Sequence, residues 1–161
     1  MKLGVPREIK AQEFRVGMTP AGARELVGAG HSVLIESGAG DPIGLTDDLY
    51  RAAGASVVET AEQVFAESDM IVKVKEPQPH ECRQLRPEQL LFTYLHLAAD
   101  PMQAELLINS GATCIAYETI TSPQGGRPLL APMSLVAGRL SVQAGAHHME
   151  IHQGGNGTLL G

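Results

Sequence analysis

The sequence predicts an α/β protein, a doubly wound parallel sheet followed by one long helix. Three observations predict it. Short aliphatic runs recur along the 161 residues and alternate with amphipathic stretches. Runs such as MIVKV and LLFTYL are continuously apolar, as in strands covered on both faces. The amphipathic stretches carry helix-boundary residues at their ends.

In order, strands are expected at Lys2–Pro6, Ser32–Glu36, Ser56–Glu59, Met70–Lys75, Leu90–His96 and Thr113–Glu118. Helices are expected at Pro20–Ala29, Asp47–Ala53, Ala61–Glu67 and Pro101–Asn109. Thr19 precedes Pro20 as an N-cap before a first-turn proline, and Gly30 closes that helix. Asp100, Pro101 and Gly111 repeat the device. Beyond the turn-rich segment Pro123–Pro128, one helix is expected from Pro132 to about Ile151, rich in Ala and Gly and apolar around most of its circumference. It needs cover on more than one side. The organisation expected is therefore an α/β domain over 1–128, then a linker helix and the entry to a further domain over 129–161. The chain reads as interrupted at Gly161.

Bulk properties narrow the function classes. The formal net charge is −6 and the twelve Lys and Arg are dispersed, which argues against a nucleic-acid partner. With three Phe, three Tyr and no Trp, the core has to be aliphatic. Cys82 and Cys114 lack metal-ligand spacing and read as reduced thiols; no metal is expected. There is no signal-like segment and no apolar run long enough for a membrane, so a cytoplasmic protein is expected.

In a doubly wound sheet, ligands bind beyond the carboxyl ends of the strands. Three predicted strands end in Lys75, His96 and Glu118. Singly, each has an ordinary explanation: a solvated strand end, a hydrogen-bonded structural histidine, a helix cap. Together they suggest a site. His96 can exchange a proton near neutral pH, and a lysine beside it suits a carboxylate or carbonyl oxygen. Lys73 shares a strand face with Lys75, but Lys75 lies nearer the rim. Arg15, just before the Pro20 helix, carries the planar donor set that grips a carboxylate at two points. The glycines of Gly38–Gly44 do not fit a dinucleotide fingerprint, because the third comes one position late and Pro42 intervenes. Gly154, Gly155 and Gly157 follow a helix and fail as well, and no Walker loop is present.

Five segments carry a specific resemblance. GVPREIKAQEFRVGMTPAG at 4–22, KVKEP at 73–77, FTYLHLAA at 92–99, AYET at 116–119 and PLLAPMS at 128–134 are similar, in register, to the N-terminal part of the alanine dehydrogenases. Transhydrogenase α chains share the ancestry but lack the lysine of KVKEP and the histidine of YLHLA. The resemblance implies a Rossmann-like substrate domain over 1–128 that works with a separate NAD domain, and a homo-oligomer that interconverts L-alanine with pyruvate and ammonia. It implies Arg15 and Lys75 on the substrate carboxylate and carbonyl oxygen, with His96 as the acid/base group. Tyr94 would line the pocket, and Ser134, with Met133 beside it, would touch the cofactor. Leu135 and Asn156 stand where the family has an acidic residue and an arginine. The family's NAD fingerprint and its second-domain aspartate do not occur in the sequence, so the isolated chain is expected to be inactive. Two other readings remain open: a non-catalytic module that binds small carboxylates or mediates oligomerisation, and part of a transhydrogenase or saccharopine-type dehydrogenase.

Overall fold

The computed structural model describes residues 1–160. Six parallel strands form one sheet: β1 (Lys2–Val5), β2 (Ser32–Glu36), β3 (Ser56–Val58), β4 (Met70–Val72), β5 (Leu90–Thr93) and β6 (Thr113–Ala116). Their order is β3-β2-β1-β4-β5-β6. The chain winds outward from β1 in one direction, then crosses back to β4 and winds the other way. The switch point, where a crevice opens at the carboxyl ends, lies between β1 and β4.

The helices are α1 (Pro20–Gly28), α2 (Asp47–Ala52), α3 (Ala61–Glu67), α4 (Pro79–Cys82), α5 (Pro101–Ser110) and α6 (Ala131–Met149). Capping chemistry holds their starts. The Thr19 hydroxyl accepts the Gly22 N–H at 3.2 Å, and Asp100 Oδ1 accepts that of Gln103 at 3.0 Å. Thr60 and Gln63 form a capping box on α3. The short α4 was not anticipated, although Pro79 in its first turn and the Gln78/Glu81 capping pair spell it out.

Alternation along the strands divides the core between the two faces of the sheet. Leu3, Val5, Val33, Ile35 and Val72 pack with Tyr50 and Ala23. Ile71 and Leu91 pack on the other side with Val64, Phe65 and Leu107. Gly4 sits in β1 where α3 comes closest, and a Cβ there would lie 2.7 Å from Val64 Cγ1.

Several strands are shorter than the aliphatic runs. β4 ends at Val72; the Lys73 N–H still donates to the Phe92 carbonyl at 3.1 Å, and beyond it a side chain takes over, Glu8 Oε1 accepting the N–H of Val74 at 2.6 Å and of Lys75 at 3.4 Å. β5 ends at Thr93, and His96 takes a left-handed conformation with φ 51°. After β6 the chain coils into a 3-10 turn at Tyr117–Thr119.

The chain divides into two compact units, Met1–Tyr117 and Glu118–Gly161. The first holds the whole sheet. In the second, α6 spans nineteen residues and buries none of them, leaving Leu135, Val136, Leu140 and Val142 exposed. Among the described residues no helix is long and apolar enough to cross a membrane.

Adding one methyl group at Gly4 should overpack the β1–α3 contact. Gly4→Ala is expected to lower stability by about 1–3 kcal/mol in urea unfolding, with the fold retained.

Candidate functional site

The site starts from a charge problem. Lys73, the first residue past β4, is 1% exposed, and its ammonium lies 2.9 Å from Glu81 Oε1 and 3.3 Å from Glu8 Oε2. The two carboxyls are equally enclosed, at 3% and 2% exposure. Ions this deep survive only when paired and hydrogen-bonded. The bonds are there: Glu81 Oε2 accepts the Gln78 N–H at 2.7 Å, and Glu8 binds the backbone of Val74 and Lys75. Burial nevertheless pushes the Glu8 carboxyl above its usual range, against the attraction of Lys73 and the backbone donors.

This network ties the loop after β1 to the segment after β4. Two further contacts press the loop down. A Cβ at Gly17 would come within 2.5 Å of the Val72 carbonyl oxygen, so only glycine lets the loop cross the end of β4. The Tyr50 hydroxyl, on a fully buried ring, donates to the Met18 carbonyl at 2.7 Å, and burial lifts its pKa to about 12.

Arg15 lies in that loop, at the switch point. Its Nε donates to Glu13 Oε1 at 2.8 Å and its Nη2 to Glu13 Oε2 at 2.6 Å, a two-point grip. The Glu13 side chain is 7% exposed and that of Arg15 43%. The hydrogen bonds from Arg15 hold the Glu13 carboxyl below its ordinary range, and the charge of Lys75 acts in the same direction. Arg15 and Glu13 help line a hollow of about 350 Å³ with Arg7, Glu8, Phe14 and Pro42.

Lys75, half-buried, follows two residues after the enclosed Lys73, and its carbonyl accepts the Thr93 hydroxyl at 2.9 Å. That bond joins the end of β5 to the end of β4. Tyr94 is buried, and its N–H donates to the Val74 carbonyl at 3.3 Å. Its ring stacks on the exposed imidazole of His96, with centroids 5.8 Å apart and planes 6° from parallel. Tyr117 meets the Tyr94 ring edge-on at 5.0 Å. A histidine with positive φ costs backbone strain of the sort that collects at functional positions.

Arg15, Lys75, Tyr94 and His96 therefore stand along one edge of the first unit, beyond the carboxyl ends of β1, β4 and β5. Met133 and Ser134 belong to the second unit, where Ser134 lines a shallow surface hollow with Arg127, Leu130, Ala131 and Leu135. Glu118 opens that unit in the 3-10 turn. Glu8, Glu13 and Glu81 were missed from sequence. For Glu13 a signal existed, since Glu-Phe-Arg spaces two opposite charges so that both can turn the same way.

The glycines that follow β2 sit in a loop held by a local side chain. After β2 the chain enters a 3-10 turn at Asp41–Ile43, and the Asp47 carboxylate already takes the Gly38 N–H at 2.9 Å and the Ser37 hydroxyl at 2.7 Å. The donors of this loop are thus met by an internal carboxylate. Among the described residues, no cluster of His, Cys, Asp and Glu is arranged to hold a metal ion.

Comparison with known proteins agrees with this architecture. The family model described as "Alanine dehydrogenase/PNT, N-terminal domain" matches residues 4–137. An alanine dehydrogenase of Halomonas elongata is 56% identical over 160 residues, covering 99% of this chain and 43% of that protein. One from Mycobacterium tuberculosis is 53% identical over 100% of this chain and 43% of its own length. A solved structure described as L-alanine dehydrogenase superposes with a TM-score of 0.89 at 54% identity, covering 100% of this chain and 44% of that one. A transhydrogenase from Sinorhizobium meliloti superposes at 0.69 with 25% identity over 73% of this chain and 35% of that one. The chain thus spans less than half the length of these relatives.

The charge network yields a signed prediction. Because the folded state raises the Glu8 pKa above its ordinary 4.5, Glu8 favours the fold when protonated, and that contribution fades as pH rises through the raised value. Glu8→Gln should match the native protein in acid and exceed it in urea midpoint near neutrality. A native protein that gains on the variant as pH rises would show that attraction to Lys73 outweighs burial.

Proposed function

The chain belongs to the family of the alanine dehydrogenase/PNT N-terminal domain, and from that premise we propose that it forms the substrate-binding part of an NAD-dependent L-alanine dehydrogenase. Such an enzyme interconverts L-alanine, NAD and water with pyruvate, ammonia and NADH. The observation that carries the reading is the pair of cations, Arg15 and Lys75, at the switch point with the Tyr94–His96 stack beside them.

In this reading Arg15 grips the substrate carboxylate through two parallel N–H groups. Lys75 donates to the oxygen on carbon 2 of pyruvate. His96, exposed at the edge, passes the proton that the group on carbon 2 gains or loses. Tyr94 lines the pocket and holds the imidazole plane by stacking. The nicotinamide supplies the two-electron chemistry, which no side chain provides. With the loop after β2 closed by Asp47, Ser134 and Met133 contribute at its margin, and its principal contacts belong to the part of the relatives' length that this chain does not span. The division into a substrate domain at 1–128 and a linking segment at 129–161 is part of the same reading, as is a cytoplasmic homo-oligomer. The alanine dehydrogenase reading is favoured over a transhydrogenase one by 54% against 25% identity to the two solved structures.

Pyruvate is expected to slow amine-directed labelling of Lys75 several-fold while leaving Lys2 unaffected; equal labelling of Lys75 with and without pyruvate removes it from the pocket. Adding the nicotinamide-binding domain of an alanine dehydrogenase in trans is expected to give alanine-dependent NADH formation. A folded mixture that binds pyruvate but stays inactive favours a non-catalytic carboxylate-binding role.

A further inference from the structure

Arg15 already holds a carboxylate, and it is the protein's own. The three donors Arg15 N, Nε and Nη2 reach Glu13 at 2.9, 2.8 and 2.6 Å, closing a ring across two residues of sequence. Glu13 is nearly enclosed, and the charge of Lys75 also acts on it. Its carboxylate thus occupies the donor face of the guanidinium that the proposed substrate carboxylate needs.

Resting on the reading of Arg15 and Lys75 given above, we propose that Glu13 is a specificity-determining residue: an internal carboxylate that the substrate must displace from Arg15.

The physical consequence is selection by a second point of attachment. A plain monocarboxylate such as acetate offers Arg15 nothing that Glu13 does not already offer. Glu13 also competes as a tethered group, with an effective concentration on the order of millimolar or above. Acetate therefore loses. A 2-oxo acid brings the same carboxylate together with an oxygen on carbon 2 for Lys75, and this extra contact is what the tethered glutamate cannot match. Discrimination of this kind works by making the wrong ligand's gain too small, without any clash against it. The cost falls on the right ligand as well. If Arg15 is paired with Glu13 in nine of ten molecules, the apparent affinity for pyruvate is reduced about tenfold.

The test is calorimetric titration of the full chain with pyruvate and with acetate, in the native protein and in Glu13→Gln, Glu13→Ala and Arg15→Met. The proposal expects both Glu13 variants to bind pyruvate about tenfold more tightly. It also expects acetate binding to appear in them, so that the ratio of pyruvate to acetate affinity falls. Arg15→Met should lose both ligands. A merely structural role for Glu13 cannot produce a gain. If the Glu13 variants bind pyruvate equally or more weakly while Arg15→Met abolishes binding, Glu13 only orients the guanidinium; this proposal is overturned and the substrate-site reading survives. If Arg15→Met binds as the native protein does, or no variant binds pyruvate at all, both fall together.

Discussion

The first unit is organised around one buried lysine. Lys73 lies between Glu8 and Glu81 at the point where β4 stops, and each group has come to that place from a different segment of the chain. Taking three charges out of water is costly, and the arrangement holds only because the remaining oxygens find backbone donors. Those donors are the N–H groups of Val74 and Lys75 on one side and of Gln78 on the other. Satisfying the buried acids therefore sets the path of the chain past β4 and fastens the loop that carries Arg15. Gly17 and the Tyr50–Met18 bond complete the fastening.

The same edge is unusual in its charge balance. Cations outnumber nothing there: Arg15 faces Glu13, Lys73 faces Glu8 and Glu81, and Lys75 lies within the field of Glu13. On the proposed reading, an anionic ligand at this edge trades places with the Glu13 carboxylate on Arg15. In that reading, affinity depends on what a ligand offers beyond its carboxylate, to Lys75 and His96.

Much of this was legible in the sequence, and the parts that were not share a cause. Continuous aliphatic runs announced all six strands, because strands covered on both faces have no polar side to interrupt them. Thr19–Pro20 and Asp100–Pro101 announced two helix starts, because capping is local. The carboxyl ends of the strands were overestimated at β4 and β5 for non-local reasons. The donors of Val74 and Lys75 are claimed by Glu8, 66 and 67 residues earlier, and His96 adopts a left-handed backbone that the run LLFTYL does not disclose. The burial of Lys73 has the same origin. Two lysines spaced i and i+2 look alike in a strand pattern; only the carboxyls converging on one of them separate an internal counter-ion from a group near the surface. The grip of the Asp47 carboxylate on Gly38 and Ser37 is likewise a contact that glycine spacing alone does not disclose.

The central role of Lys73 is most directly measured by urea unfolding of Lys73→Met near neutral pH, a change that keeps the side chain's bulk and removes its charge. With Glu8 and Glu81 left enclosed and facing each other, the variant should lose about 3–5 kcal/mol of stability. A variant as stable as the native protein would mean that the two acids need no cation between them, and that something other than this network holds the loop of Arg15 against the end of β4.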